Sequence, residues 1–168
     1  MKTNICVIGL VKGYTKNIAK KLSDKLGMFF GDLDDLLEFE LIDIDGAKNI
    51  CGQDYINKVE QNKMKMLLSF ENTLSTFNYS LLNNNKNLDT IKNKSLIIYL
   101  SLNEKNAKNK LIRNGIKKDD LLLQLDMLVE RDKLCKKYAD IVIDANDLTI
   151  SKVISNIKEG IYNFMFKE

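Results

Sequence analysis

No histidine occurs anywhere in this chain of 168 residues. That rules out a Ser–His catalytic pair and any histidine-based metal site. Arginine is almost as scarce: only Arg113 and Arg131 stand against a background of lysine. A guanidinium is the preferred bidentate clamp for phosphate and carboxylate, so these two positions are the first to inspect for anion binding. A plain compositional bias toward lysine accounts for most of the remaining surface. Cysteine is limited to Cys6, Cys51 and Cys135, which are far apart, odd in number and form no C-x-x-C pair. They read as reduced thiols. The N-terminal apolar run is brief, is broken by Lys12 and precedes no small-residue cleavage site, so neither a leader nor a membrane span is expected. The expected location is the cytoplasm. Net charge is only +3, and the basic residues read as solvated helix faces, so no nucleic-acid partner is expected.

Hydrophobic residues make up 45% and charged residues 29%, ordinary for a soluble globular chain. At this length one domain, residues 1–168, buries roughly 70% of its unfolded surface. Short apolar runs at Asn4–Ile8, Met28–Phe30, Leu74–Thr76, Leu96–Leu100 and Ile141–Ile143 are the strand candidates. Between the first two, Ile18, Leu22 and Leu26 fall at helical spacing, with Gly27 as a stop. Further helical patterns run over Gln53–Phe70 and Asp119–Tyr138. A last one carries Ile150, Val153, Ile154, Ile157, Ile161 and Phe164 as a core stripe. Asn83 to Asn87 reads as a polar loop. Strands alternating with helices predict an α/β domain with a parallel sheet covered on both faces. Ligands of such sheets bind beyond the carboxyl ends of the strands, where Gly9 and Asp32 fall.

The stretch Gly9-Leu10-Val11-Lys12-Gly13-Tyr14-Thr15-Lys16-Asn17 follows the first apolar run and leads into a helical pattern. This is the context in which G-x-x-x-x-G-K-[ST] cradles nucleotide phosphates. Here Tyr14 stands for the second glycine, Thr15 for the lysine and Lys16 for the metal-binding hydroxyl. A divalent ion about 4 Å from the Lys16 ammonium would feel about twice the unit-pair repulsion of about 4 kcal/mol at an effective dielectric of about 20.

From Asn4 to Asp34 the chain resembles shikimate kinases of the P-loop kinase superfamily. Asn4-Ile5-Cys6-Val7-Ile8-Gly9 looks like that family's first strand, and Leu26-Gly27-Met28-Phe29-Phe30-Gly31-Asp32-Leu33-Asp34 is similar to its L-G-x-x-F-x-D-x-D segment. The spacing between them has no gap, which assigns Thr15 to the lysine position. Gly52 to Glu60 resembles G-E-x-x-F-R-x-x-E, with Asn57 in place of an arginine. Glu130-Arg131 followed by Tyr138-Ala139-Asp140-Ile141-Val142-Ile143-Asp144 is similar to the family's closing pattern. Phe77-Asn78-Tyr79 replaces a glycine triplet, and the R-P-L-L lid is missing.

The resemblance implies a three-layer P-loop kinase fold with a five-stranded parallel sheet, and descent from enzymes that move the ATP γ-phosphate to a shikimate hydroxyl with Mg²⁺. It implies nucleotide contacts at Gly9, Lys12, Gly13, Thr15, Lys16 and Asn17. Asp32 is implied beside the metal and the transferred proton, Asp34 on a substrate hydroxyl and Arg131 on the substrate carboxylate. Changes at so many of these positions predict an impaired or inactive copy. Two alternatives stand beside it: a working small-molecule kinase in which Lys16 or Lys12 replaces the usual lysine, and a non-catalytic module that binds an anion or a protein. Lys16 either substitutes for the metal or reaches the phosphate itself, or else Lys12 and Lys16 are ordinary solvated lysines on a relic loop. Asp32, Asp34 and Asp35 fit helix capping as well as chemistry. A monomer is expected, with ATP and Mg²⁺ as the cofactors if it is active.

Overall fold

The computed structural model describes residues 3–78 and 82–166. Five strands form one parallel sheet: β1 (Asn4–Gly9), β2 (Phe29–Asp32), β3 (Thr73–Thr76), β4 (Ser95–Ser101) and β5 (Ile141–Asp144), in the order β2-β3-β1-β4-β5. All four pairings are parallel, with Ile5 opposite both Leu74 and Leu96, and Gly9 opposite Leu100. The central strand β1 is buried at every position, as a strand covered on both faces must be, hence its unbroken apolar run. The edge strand β5 alternates instead, with Ile141 and Ile143 inward and Val142 and Asp144 outward. Each strand candidate read from the sequence falls on one of these five.

Nine described helices connect and cover the sheet: α1 (Lys12–Leu26), α2 (Leu33–Leu41), α3 (Ile44–Cys51), α4 (Gln53–Ser69), α5 (Asn85–Lys94), α6 (Glu104–Arg113), α7 (Lys118–Asp126), α8 (Leu128–Tyr138) and α9 (Ile150–Met165). Helix α1 stops at Gly27, whose φ of 64° is left-handed and suits a residue without Cβ.

Three expectations need correction. The pattern over Asp119–Tyr138 is two helices, broken at Met127. The first packs against α6 and the second against β4, so one straight rod cannot serve both. The polar run Asn83–Asn87 is largely a helix start: the Asn84 side chain accepts the Lys86 N–H at 3.0 Å, and α5 begins at Asn85. Asparagine favours caps as much as loops, and composition alone does not separate them. In α9, Val153, Ile154 and Ile157 are buried, while Phe164 is 46% exposed. Sixteen residues of helix span about 24 Å, against about 13 Å for the four residues of β5. The last turn therefore runs past the sheet.

Candidate functional site

Strand β1 ends at Gly9 and α1 begins at Lys12, so only Leu10 and Val11 connect them, and both are buried. The helix has taken in the residues that would form a phosphate loop. Gly13 has no positive φ and sits in the first turn beneath Asn114; a Cβ there would come within 3.0 Å of the Asn114 Oδ1. Tyr14 turns into the core, with the Lys110 ammonium 3.9 Å from its ring centroid. Its O–H is buried and has no hydrogen-bond partner among the described residues, and burial raises its pKa. Burial also lowers the pKa of Lys110, with the nearby Arg113 acting in the same direction.

Thr15 is buried and back-bonded within the helix: its Oγ1 donates to the Val11 carbonyl at 2.9 Å, as does its own N–H. It lies so close to the end of β1 that a Cβ on Gly9 would collide with Oγ1. Asn17 is exposed on the same helix.

Lys16 and Lys12 reach across to α2. The Lys16 ammonium lies 3.1 Å from Asp32 Oδ1 and also pairs with Asp35. Partial burial works against its charge, but hydrogen bonds to Asp35 and Asp32 outweigh that, so its pKa is held above the ordinary lysine value. Asp32 is buried and fully engaged. Its Oδ1 also accepts the Asp35 N–H at 3.1 Å, capping α2, and its Oδ2 accepts the Thr76 hydroxyl at 2.5 Å. Capping and the cleft therefore share one carboxylate. Lys12 meets Asp34 Oδ2 at 2.6 Å. The Asn78 amide donates to Asp34 Oδ1 and to Glu60 Oε1, both at 3.1 Å. Gly9, Lys12, Thr15, Asp32, Asp34, Thr76, Phe77 and Asn78 enclose about 50 Å³. That is far below the roughly 300–1,000 Å³ of small-molecule sites, and near the room taken by one or two waters.

The structure thus gathers Gly9, Lys12, Thr15, Lys16, Asp32 and Asp34 at the carboxyl ends of β1, β2 and β3. Arg131 is outside that cavity. It sits on α8, largely buried, with its guanidinium donating to Gln124 Oε1 at 2.5 Å and to the Met127 sulfur at 3.5 Å. There it ties α7 to α8 across the break. Asn57 accepts from the Gln53 side chain on the exposed face of α4. Tyr79 lies outside the described residues. Sequence reasoning missed Thr76 and the bridging role of Asn78. The available signal was the polar end of an otherwise apolar third strand, Ser75-Thr76. Among the described residues no three Cys, Asp or Glu side chains converge to hold a metal ion. No described helix is long and apolar enough to cross a membrane.

A sequence model described as shikimate kinase matches residues 15–162. The shikimate kinase of Dehalococcoides mccartyi is 23% identical over 97% of this chain and 96% of that protein. The shikimate kinase of Francisella tularensis subsp. holarctica is 26% identical over 92% of each. Among solved structures, the shikimate kinase from Acinetobacter baumannii in complex with shikimate superposes with a TM-score of 0.84 at 20% identity, over 99% of this chain and 97% of that one.

Proposed function

The chain belongs to the shikimate kinase family, and we propose that it keeps the family's fold without its ATP-dependent phosphoryl transfer. The observation that carries this reading is the Lys16 ammonium seated on Asp32. A cation built into the chain stands where phosphoryl transfer needs Mg²⁺ beside a carboxylate. The residues present do not fit ATP and Mg²⁺. A phosphate cradle requires a loop of backbone N–H groups turned toward the ligand, whereas two buried residues make the whole β1–α1 connection. The lysine that would neutralise the phosphates is Thr15, buried and bonded to its own helix. On the acceptor side, Asn78 already occupies Asp34 and Glu60.

The test is ADP release from ATP with Mg²⁺ and shikimate at low enzyme concentration. No turnover above background is expected, and ordinary turnover would overturn the proposal. Thermal unfolding with millimolar ATP or ADP supplies a second readout. A ligand that binds only the folded state must raise stability, and no rise is expected.

A further inference from the structure

Two blocks of opposite charge occupy different parts of the fold. Between Asp32 and Asp45 the chain carries seven carboxylates and no lysine or arginine. Between Lys105 and Lys118 it carries six lysines or arginines and no carboxylate, an exception to the even spread of basic residues expected from the sequence. Internal pairs use up part of the acidic block: Lys12 holds Asp34, Lys16 holds Asp32 and Asp35, and Lys63 holds Glu40. Glu38, Asp43 and Asp45 are exposed and carry no ion pair among the described residues. On α6, Lys105, Lys108 and Arg113 are in the same condition.

Large apolar side chains stand out from both blocks. Phe39 and Ile42, one helical turn apart in the acidic block, are 85% and 91% exposed; in the basic block Ile112 on α6 is 52% exposed, and beyond its end Leu122 on α7, a helix that also carries Asp119, Asp120 and Asp126, is 65% exposed. Ile42 adds a second observation. Its φ is 59°, a left-handed conformation that strains a β-branched residue. Fully in solvent, it recovers no packing in return. A glycine would make the same turn without strain, so the isolated molecule gains nothing from isoleucine there.

We propose that the α2–α3 arm of one molecule docks onto the α6–α7 face of a second copy. Phe39 and Ile42 would pack against Ile112 and Leu122, with Glu38, Asp43 and Asp45 facing Lys105, Lys108 and Arg113. Both halves of the contact, matched in charge sign and in apolar content, are present on this one chain, which favours a second copy over another protein. Because the two patches differ, the contact is heterologous and generates rings or open chains. The monomer expected from the sequence gives way to a salt-sensitive assembly. Nothing in this depends on whether phosphoryl transfer occurs.

The test is light scattering on the full chain at low and high salt. The mass should exceed 19.3 kDa at low ionic strength and fall toward it at about 1 M salt, where screening acts over about 3 Å. Two charge reversals, Glu38→Lys with Asp45→Lys and Lys105→Glu with Lys108→Glu, should each give a folded monomer. Mixed together they should associate again in alternating order, since the unreversed arm meets the unreversed face and the reversed arm meets the reversed face. Ile42→Gly should weaken association about tenfold while leaving the melting temperature unchanged or higher; a purely structural role would lower it. A monomer under all conditions, which a different basic partner would also leave, overturns the proposal. So does association that survives both reversals, or a mixture that stays monomeric.

Discussion

The Lys16 ammonium lies 3.1 Å from Asp32 Oδ1, on the carboxylate that also caps α2 and accepts the Thr76 hydroxyl. One lysine side chain therefore joins the first crossover helix to the second strand and the helix after it. A relic lysine on a solvated face would do none of this.

Removing that cation is the direct measure of its role. Lys16→Ala leaves the buried Asp32 with its two neutral donors and without its counter-charge. The loss of a hydrogen bond between charged groups amounts to about 1.5–3 kcal/mol, and the partial exposure of Lys16 places the expected effect at the lower end. For a chain of this size each kcal/mol lowers the melting temperature by about 2–4 °C. Urea unfolding checks the magnitude. A change within about 0.5 kcal/mol, as for an ordinary surface residue, would return Lys16 to the solvated class.

Alkaline pH separates the charge of Lys16 from its packing. Its pKa in the fold is raised above the ordinary 10.5, so its stabilisation is whole below pH 10.5 and is lost as pH climbs through the raised value. Two buried thiols complicate the same range. Burial pushes Cys135 up to about 12 and Cys6 higher still, from an ordinary 9.0. Their contribution is whole below pH 9.0 and begins to fall above it. Comparing wild type with Lys16→Met cancels the cysteine part, and the difference between the two unfolding free energies should shrink only above pH 10.5. A constant difference up to the highest accessible pH would mean the side chain acts through its methylenes.

The strands were legible because a buried parallel strand announces itself as a continuous apolar run, and Ile5-Cys6-Val7-Ile8 and Leu96 to Leu100 are such runs. The break at Met127 was not legible, because it depends on which neighbours α7 and α8 cover. At the site, position identified Asp32, Asp34, Lys12 and Lys16, but their pairing did not follow. Lys16 and Asp35 are nineteen residues apart, and only the packing of α1 beside β2 brings them together. Thr76 was missed for the same reason. Its partner Asp32 is forty-four residues away in sequence, and only the pairing of β2 with β3 sets the two side by side.

Exchanging Thr15→Lys and Lys16→Thr restores the letters of a nucleotide loop without its shape. Position 15 is buried against the end of β1, so the new ammonium loses water while Asp32 loses its pairing with Lys16, and the variant should be less stable than wild type by at least about 2 kcal/mol. It should also gain nothing from ATP and Mg²⁺. A ligand at one hundred times its Kd would add about 2.7 kcal/mol. A melting temperature raised several degrees by nucleotide would show that the β1–α1 connection can reopen, and would count against the closed cleft.

Gly9 and Thr15 offer a test of why the cleft is closed at its floor. A methyl group on Gly9 would collide with Thr15 Oγ1, and the Thr15 Cβ lies 3.4 Å from the same point. Gly9→Ala should therefore cost about 1–3 kcal/mol through overpacking. Thr15→Ala removes Oγ1, whose hydrogen bond to the Val11 carbonyl is local to the helix, and should cost about 1 kcal/mol. In the double variant the alanine methyl at position 9 gains the space that Oγ1 vacates. The two changes should then be markedly less than additive, with a coupling of about 1 kcal/mol or more in a double-mutant cycle read by urea unfolding. Additive costs would mean that Gly9 is needed for something other than the approach of Thr15, such as a backbone conformation that no side chain at position 15 controls.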